Sequence, residues 1–113
     1  MYTLQKTFTF AAAHQLALPY ESGCNNLHGH NWTVTVHMRG TTLNDSGMLM
    51  DFKHIKDKIQ GQFDHAVLND IIPQPTAENI AKYIHDELAP LCYRVDIIES
   101  PGSVASYEGD AHV

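Results

Sequence analysis

A chain of 113 residues with 43% hydrophobic and 18% charged positions can bury one hydrophobic core and little more. Its formal net charge of -6, with no cluster of Lys or Arg, argues against nucleic acid and anionic membrane as partners. Eight histidines are the outlier, and they point to metal binding or proton transfer.

One domain over residues 1–113 is expected. No apolar run is long enough to cross a membrane, and strand-like alternation begins at Tyr2. A cytoplasmic chain without signal peptide or lipid anchor is therefore expected. Cys24 and Cys92 are too few for a disulfide scaffold.

Residues 2–14 alternate as a first strand, with Phe8, Phe10, Ala12 and His14 on one face and threonines and alanines on the other. Lys6 breaks the apolar face near its start, where a long side chain can reach solvent. Residues 15–27, with Pro19, Gly23 and Asn25-Asn26, read as a loop that carries Cys24. Alternation then resumes and runs to Gly40. His28, His30, Trp32, Val34, Val36 and Met38 share one face; Thr33, Thr35, His37 and Arg39 share the other. Asn44-Asp45-Ser46-Gly47 centres a turn-rich link.

Asp51 caps a helix whose apolar positions Phe52, Ile55, Ile59 and Phe63 recur every three or four residues. Residues 63–69 follow as a turn or short helical piece, and Pro73 and Pro75 stop any continuation. Thr76 caps a second helix, with Ala77, Ile80, Ala81, Ile84 and Leu88 along its buried stripe and Glu78 in its first turn. A strand over 92–99 places Tyr93, Val95, Ile97 and Glu99 on one face and Cys92, Arg94, Asp96 and Ile98 on the other. After Pro101-Gly102-Ser103, residues 104–108 make a last strand. The order β-β-α-α-β-β predicts an α+β fold of four strands backed by two helices. Its two exposed sheet edges predict closure by other subunits.

Three histidines fall at strand ends that neighbouring strands bring together: His14, His28 and His30. His28 and His30, two apart on one face, hold their rings side by side. Three imidazoles with an open fourth position make the catalytic rather than the structural zinc arrangement. Cys24, four residues before His28, is either a fourth ligand or a thiolate beside the metal acting as a base. Asp64-His65 is either an acid/base pair or a helix-end pair in solvent. Glu99 ends an apolar strand face, where it can accept from adjacent N–H groups of an amino-pyrimidinone edge or stand at the surface. His37, His54, His85 and His112 lack comparable company and read as structural or exposed.

Taken together, these residues resemble the family of 6-pyruvoyltetrahydropterin synthases and their bacterial relatives, the 6-carboxytetrahydropterin synthases. The motifs are Phe10-x-Ala12-Ala13-His14, Cys24-x-x-x-His28-Gly29-His30-Asn31, Gly47-Met48-x-x-Asp51-Phe52, Asp64-His65-x-x-Leu68-Asn69, Pro75-Thr76-Ala77-Glu78-Asn79-Ile80-Ala81, Glu99-Ser100 and Ala105-x-Tyr107. The resemblance implies the tunnelling fold, with an antiparallel four-stranded sheet and both helices on one face. Trimers close a barrel, two trimers stack into a homohexamer, and active sites lie between subunits.

It further implies zinc on His14, His28 and His30, a proton-abstracting Cys24, an Asp64–His65 acid/base pair and Glu99 as anchor of the pterin ring. The implied activity is that of a carbon–oxygen lyase acting on 7,8-dihydroneopterin triphosphate. The short Cys24-to-His28 spacing is similar to the carboxy-forming branch, which releases triphosphate and acetaldehyde on the way to queuosine. The alternatives are the pyruvoyl-forming reaction and a zinc-stabilised pterin- or purine-binding assembly protein with Cys24 as a fourth ligand. The sequence departs from the family's pattern at Gln15, Trp32, Phe63 and Gln74. Lys6, Lys53 and Lys56 are candidates to receive the triphosphate, and Glu21 is an alternative base.

Overall fold

In the computed structural model, residues 1–109 are described. His112 and the final four positions of the expected domain lie outside them. Strands β1 (Tyr2–His14) and β2 (His28–Gly40) form a long antiparallel pair. Helix α1 (Phe52–Phe63), the two-residue strand β3 (Ala66–Val67) and helix α2 (Ala77–Glu87) follow. Strands β4 (Cys92–Ser100) and β5 (Ser103–Glu108) complete a sheet of order β3-β1-β2-β4-β5.

The period-two pattern and the burial agree along both long strands. Phe8, Phe10, Ala12 and His14 of β1 and Trp32, Val34, Val36 and Met38 of β2 are buried on the helix-covered face. Ile55, Ile59 and Phe63 of α1 and Ile80, Ala81 and Ile84 of α2 close the core over them. Asp51 caps α1 by accepting from the Lys53 N–H, and Thr76 caps α2 by accepting from the Asn79 N–H. Among the described residues, no helix is long and apolar enough to cross a membrane.

The sheet has five strands and is mixed, not four and antiparallel. Ala66 and Val67 run parallel to Ala12 and Ala13 of β1. His65 makes this possible by adopting a left-handed conformation at φ 61°, with its N–H on the Ala11 carbonyl. Two residues are too few for alternation to reveal. Three side chains also face otherwise than the periodicity predicts. A register shift between His37 and Met38 opposite β4 turns Cys92 into the core, while Tyr93 stacks with Arg39 on the outer side. Phe52 is half exposed, with the Lys6 ammonium 6.0 Å above its ring.

Candidate metal centre and active site

His14 and His28 are register partners across β1 and β2, and His30 pairs with Ala12 one step further in. The ligand nitrogens of these three imidazoles all lie within 4.8 Å of one another. A tetrahedral zinc shell with Zn–N bonds near 2.05 Å needs nitrogens about 3.3 Å apart, so small side-chain adjustments would close it. Two of the three rings are already oriented by the backbone. His14 Nδ1 meets the Pro75 carbonyl at 2.7 Å and His28 Nδ1 meets the Asn26 carbonyl at 2.7 Å. A carbonyl only accepts, so both Nδ1 atoms carry hydrogen and both Nε2 atoms are left as lone pairs.

The donor set fits a metal by a second sign. Nε2 of His14 and Nε2 of His30 are buried without a hydrogen-bond partner, an arrangement that costs free energy unless a ligand satisfies it. Burial pushes the His14 imidazole below its ordinary range; the Pro75 carbonyl partly offsets this, while His28 and His30 add to it. The ring is thereby kept neutral, as a ligand must be. Trp32 floors the site, edge-on to His14 and His30 at 4.9 and 5.2 Å, with its own Nε1–H on the Ala12 carbonyl.

Glu99 approaches from β4 at an irregularity in its pairing with β5. Its two oxygens lie 3.9 Å from His14 Nε2 and 3.7 Å from His30 Nε2, beyond hydrogen-bond reach. A cavity of about 280 Å³ opens beside it, walled by Leu16, Thr76, Glu78 and Val104 among others. Glu78 is therefore a second carboxylate at this cavity, one the sequence offers only as a favourable charge at a helix start.

The other candidates are not members of the three-imidazole group. Cys24 is half-buried in the 3-10 turn Gly23–Asn25 and is not a member of the three-histidine group. Asp64 caps α1 and accepts from the Ala11 N–H at 3.0 Å. His65 beside it is 85% exposed, its Nδ1 3.6 Å from the Asp64 carboxylate, and it borders an open depression with Ala13, Gly29, His30 and Asn31. Glu21 is exposed. Lys53 is engaged with Asp57 at 2.8 Å, and Lys6 lies over Phe52.

His37 does have company. Its Nε2 meets Asp96 at 2.7 Å, and Asp96 also accepts from Arg94 and Ser106 on the outer face. The signal was available, because His37, Arg94 and Asp96 occupy the same face of neighbouring strands.

The family model for 6-pyruvoyl tetrahydropterin synthase matches residues 3–110. The chain is 32% identical to 6-carboxy-5,6,7,8-tetrahydropterin synthase of Bacillus subtilis, with 94% of this chain and 84% of that protein covered. It is 35% identical to the protein of the same name from Synechocystis, with 95% and 93% covered. Among solved structures, 6-pyruvoyl tetrahydropterin synthase of Caenorhabditis elegans superposes with a TM-score of 0.77 at 28% identity, over 96% of each chain. With nearly its whole length matched, the chain belongs to the 6-pyruvoyl tetrahydropterin synthase family.

Proposed function

We propose that the chain is a 6-carboxy-5,6,7,8-tetrahydropterin synthase. It is a zinc-dependent carbon–oxygen lyase that converts 7,8-dihydroneopterin triphosphate and one water to the 6-carboxy pterin, triphosphate and acetaldehyde, as a cytoplasmic step toward queuosine. The observation that carries the reading is the pair of buried, unpartnered Nε2 atoms of His14 and His30 facing His28. The names of the Bacillus and Synechocystis relatives and the short Cys24-to-His28 spacing support the carboxy product over the pyruvoyl reaction for which the Caenorhabditis protein is named.

His14, His28 and His30 would hold the metal, which supplies Lewis-acid polarisation of oxygens on the substrate side chain. Cys24 takes a proton from that side chain as a thiolate base. Asp64 fixes and charges the His65 imidazole, which returns a proton on the opposite side. Glu99 accepts from adjacent N–H groups of the pterin edge, with Glu78 as the second acceptor on the same cavity wall.

Assembly completes the site. His65 is exposed on an open depression that His30 also lines, and it is not itself one of the three clustered imidazoles, so its free face can serve the site of a neighbouring copy. Among the described residues, the outer edge of β1 is unpaired in the sheet apart from the two residues of β3, as is that of β5. Those edges suit closure into a barrel, and a homohexamer of two stacked trimers is the proposed form. Release of triphosphate from 7,8-dihydroneopterin triphosphate by the zinc-loaded protein tests the function. Tight binding without release would favour a pterin-binding assembly protein instead.

A further inference from the structure

Two side-chain amides from the segment between α1 and α2 reach the chain as it leaves β1. Asn69 accepts from the Gln15 N–H at 2.9 Å and donates to the Gln15 carbonyl at 2.8 Å. Gln74 repeats this two residues on, accepting from the Ala17 N–H at 3.0 Å and donating to the Ala17 carbonyl at 3.3 Å. Each amide thus reproduces both bonds of a hydrogen-bonded antiparallel pair, so residues 15 and 17 are held as if a strand continued.

The other side of that segment grips the Cys24 turn. Leu16 N–H donates to the Cys24 carbonyl at 2.8 Å, Gln15 Nε2 donates to the Asn25 carbonyl at 2.8 Å, and Leu18 N–H donates to Asn25 Oδ1 at 3.0 Å. Packing cannot hold the turn by itself, since none of its three residues is fully buried. Next to Gln74, Pro75 accepts from His14. One segment therefore fixes a metal ligand directly and the Cys24 turn through a single strand-like intermediary.

We propose that Asn69 and Gln74 are positioning residues that set the Cys24 thiol relative to His14 by clamping residues 15–18. The proposal rests on the base role of Cys24 given above. A base displaced by about 1 Å loses a large part of its effect, on the order of a hundredfold in rate. The Gln74 side chain reaches far enough to make both bonds to Ala17.

The test uses the full-length, zinc-loaded protein with Asn69→Leu and Gln74→Met, which keep side-chain size and remove the amide. Asn69→Asp, which keeps the acceptor for Gln15 N–H, is the milder variant should the others fold poorly. Amide exchange at Leu16 and Leu18, whose partners lie in the Cys24 turn, should accelerate in the clamp variants. Zinc content should stay at its original level, kcat should fall about 10- to 100-fold, and KM should move less than about twofold. Asn69→Asp should fall between wild type and Asn69→Leu. Unchanged exchange at both leucines would overturn the clamp, and zinc loss would show that the amides act on His14 instead. Faster exchange with wild-type kcat, while Cys24→Ala is inactive, would overturn positioning alone. Wild-type turnover in Cys24→Ala would be a failure of the base reading itself.

Discussion

His14 and His28 face each other across β1 and β2 with ring centroids 4.5 Å apart, and each has its Nδ1 against a backbone carbonyl. Their metal-binding nitrogens are thus preset by the fold rather than by the metal. Replacing His28 by Ala leaves two imidazoles, and zinc should fall from about one ion per chain to near none by metal analysis. Retained zinc in His28→Ala would place the site elsewhere.

The two cysteines should behave oppositely. Burial pushes the Cys92 thiol up to about 11, against weaker opposing hydrogen bonds, so it stays protonated near neutral pH. Half-buried Cys24 should take iodoacetamide first, and peptide mapping reads which thiol is labelled. Cys24→Ala should keep its zinc while turnover drops about 10²–10⁴-fold. Zinc loss in that variant would make Cys24 a ligand.

Much of this was legible in the sequence, for a physical reason. Long strands that bury one face must alternate, so the inward sets of β1 and β2, including His14, His28 and His30, could be read before any coordinates. Helix starts were equally plain, because Asp51 and Thr76 cap through their own side chains. What escaped was set by irregularity: the register shift that turns Cys92 inward and Tyr93 outward, and the left-handed His65 that starts β3. Glu78 escaped because its place at the cavity depends on how α2 sits against β4 and β5.

Glu99 and Glu78 line one cavity, but among the described residues only Glu99 has imidazoles within 4 Å. If Glu99 anchors the pterin edge, Glu99→Gln should raise KM for the pterin substrate about tenfold or more, the cost of a lost charge-assisted pair. Glu78→Gln should do so less. A raised KM in Glu78→Gln with a kcat-only defect in Glu99→Gln would exchange the two roles.

Asp96 gives a pH signature on the outer face. Burial opposes its ionisation, but hydrogen bonds from Ser106, Arg94 and His37 outweigh it and hold the carboxyl below its ordinary range. A depressed carboxylate adds stability above its unfolded pKa and loses it as pH falls through the folded value. Asp96→Asn should therefore cost about 1–3 kcal/mol near pH 7, and the gap should close under acid conditions. Urea unfolding at both pH values measures it; a gap independent of pH would contradict the ion-pair account.

The central claim is tested most directly by product analysis. Zinc-loaded protein incubated with 7,8-dihydroneopterin triphosphate should release triphosphate and acetaldehyde and leave a pterin carrying a carboxyl group at C6, as read by mass spectrometry. A product that keeps the remaining side-chain carbons as a pyruvoyl group, or substrate recovered intact from a zinc-replete protein, would contradict it.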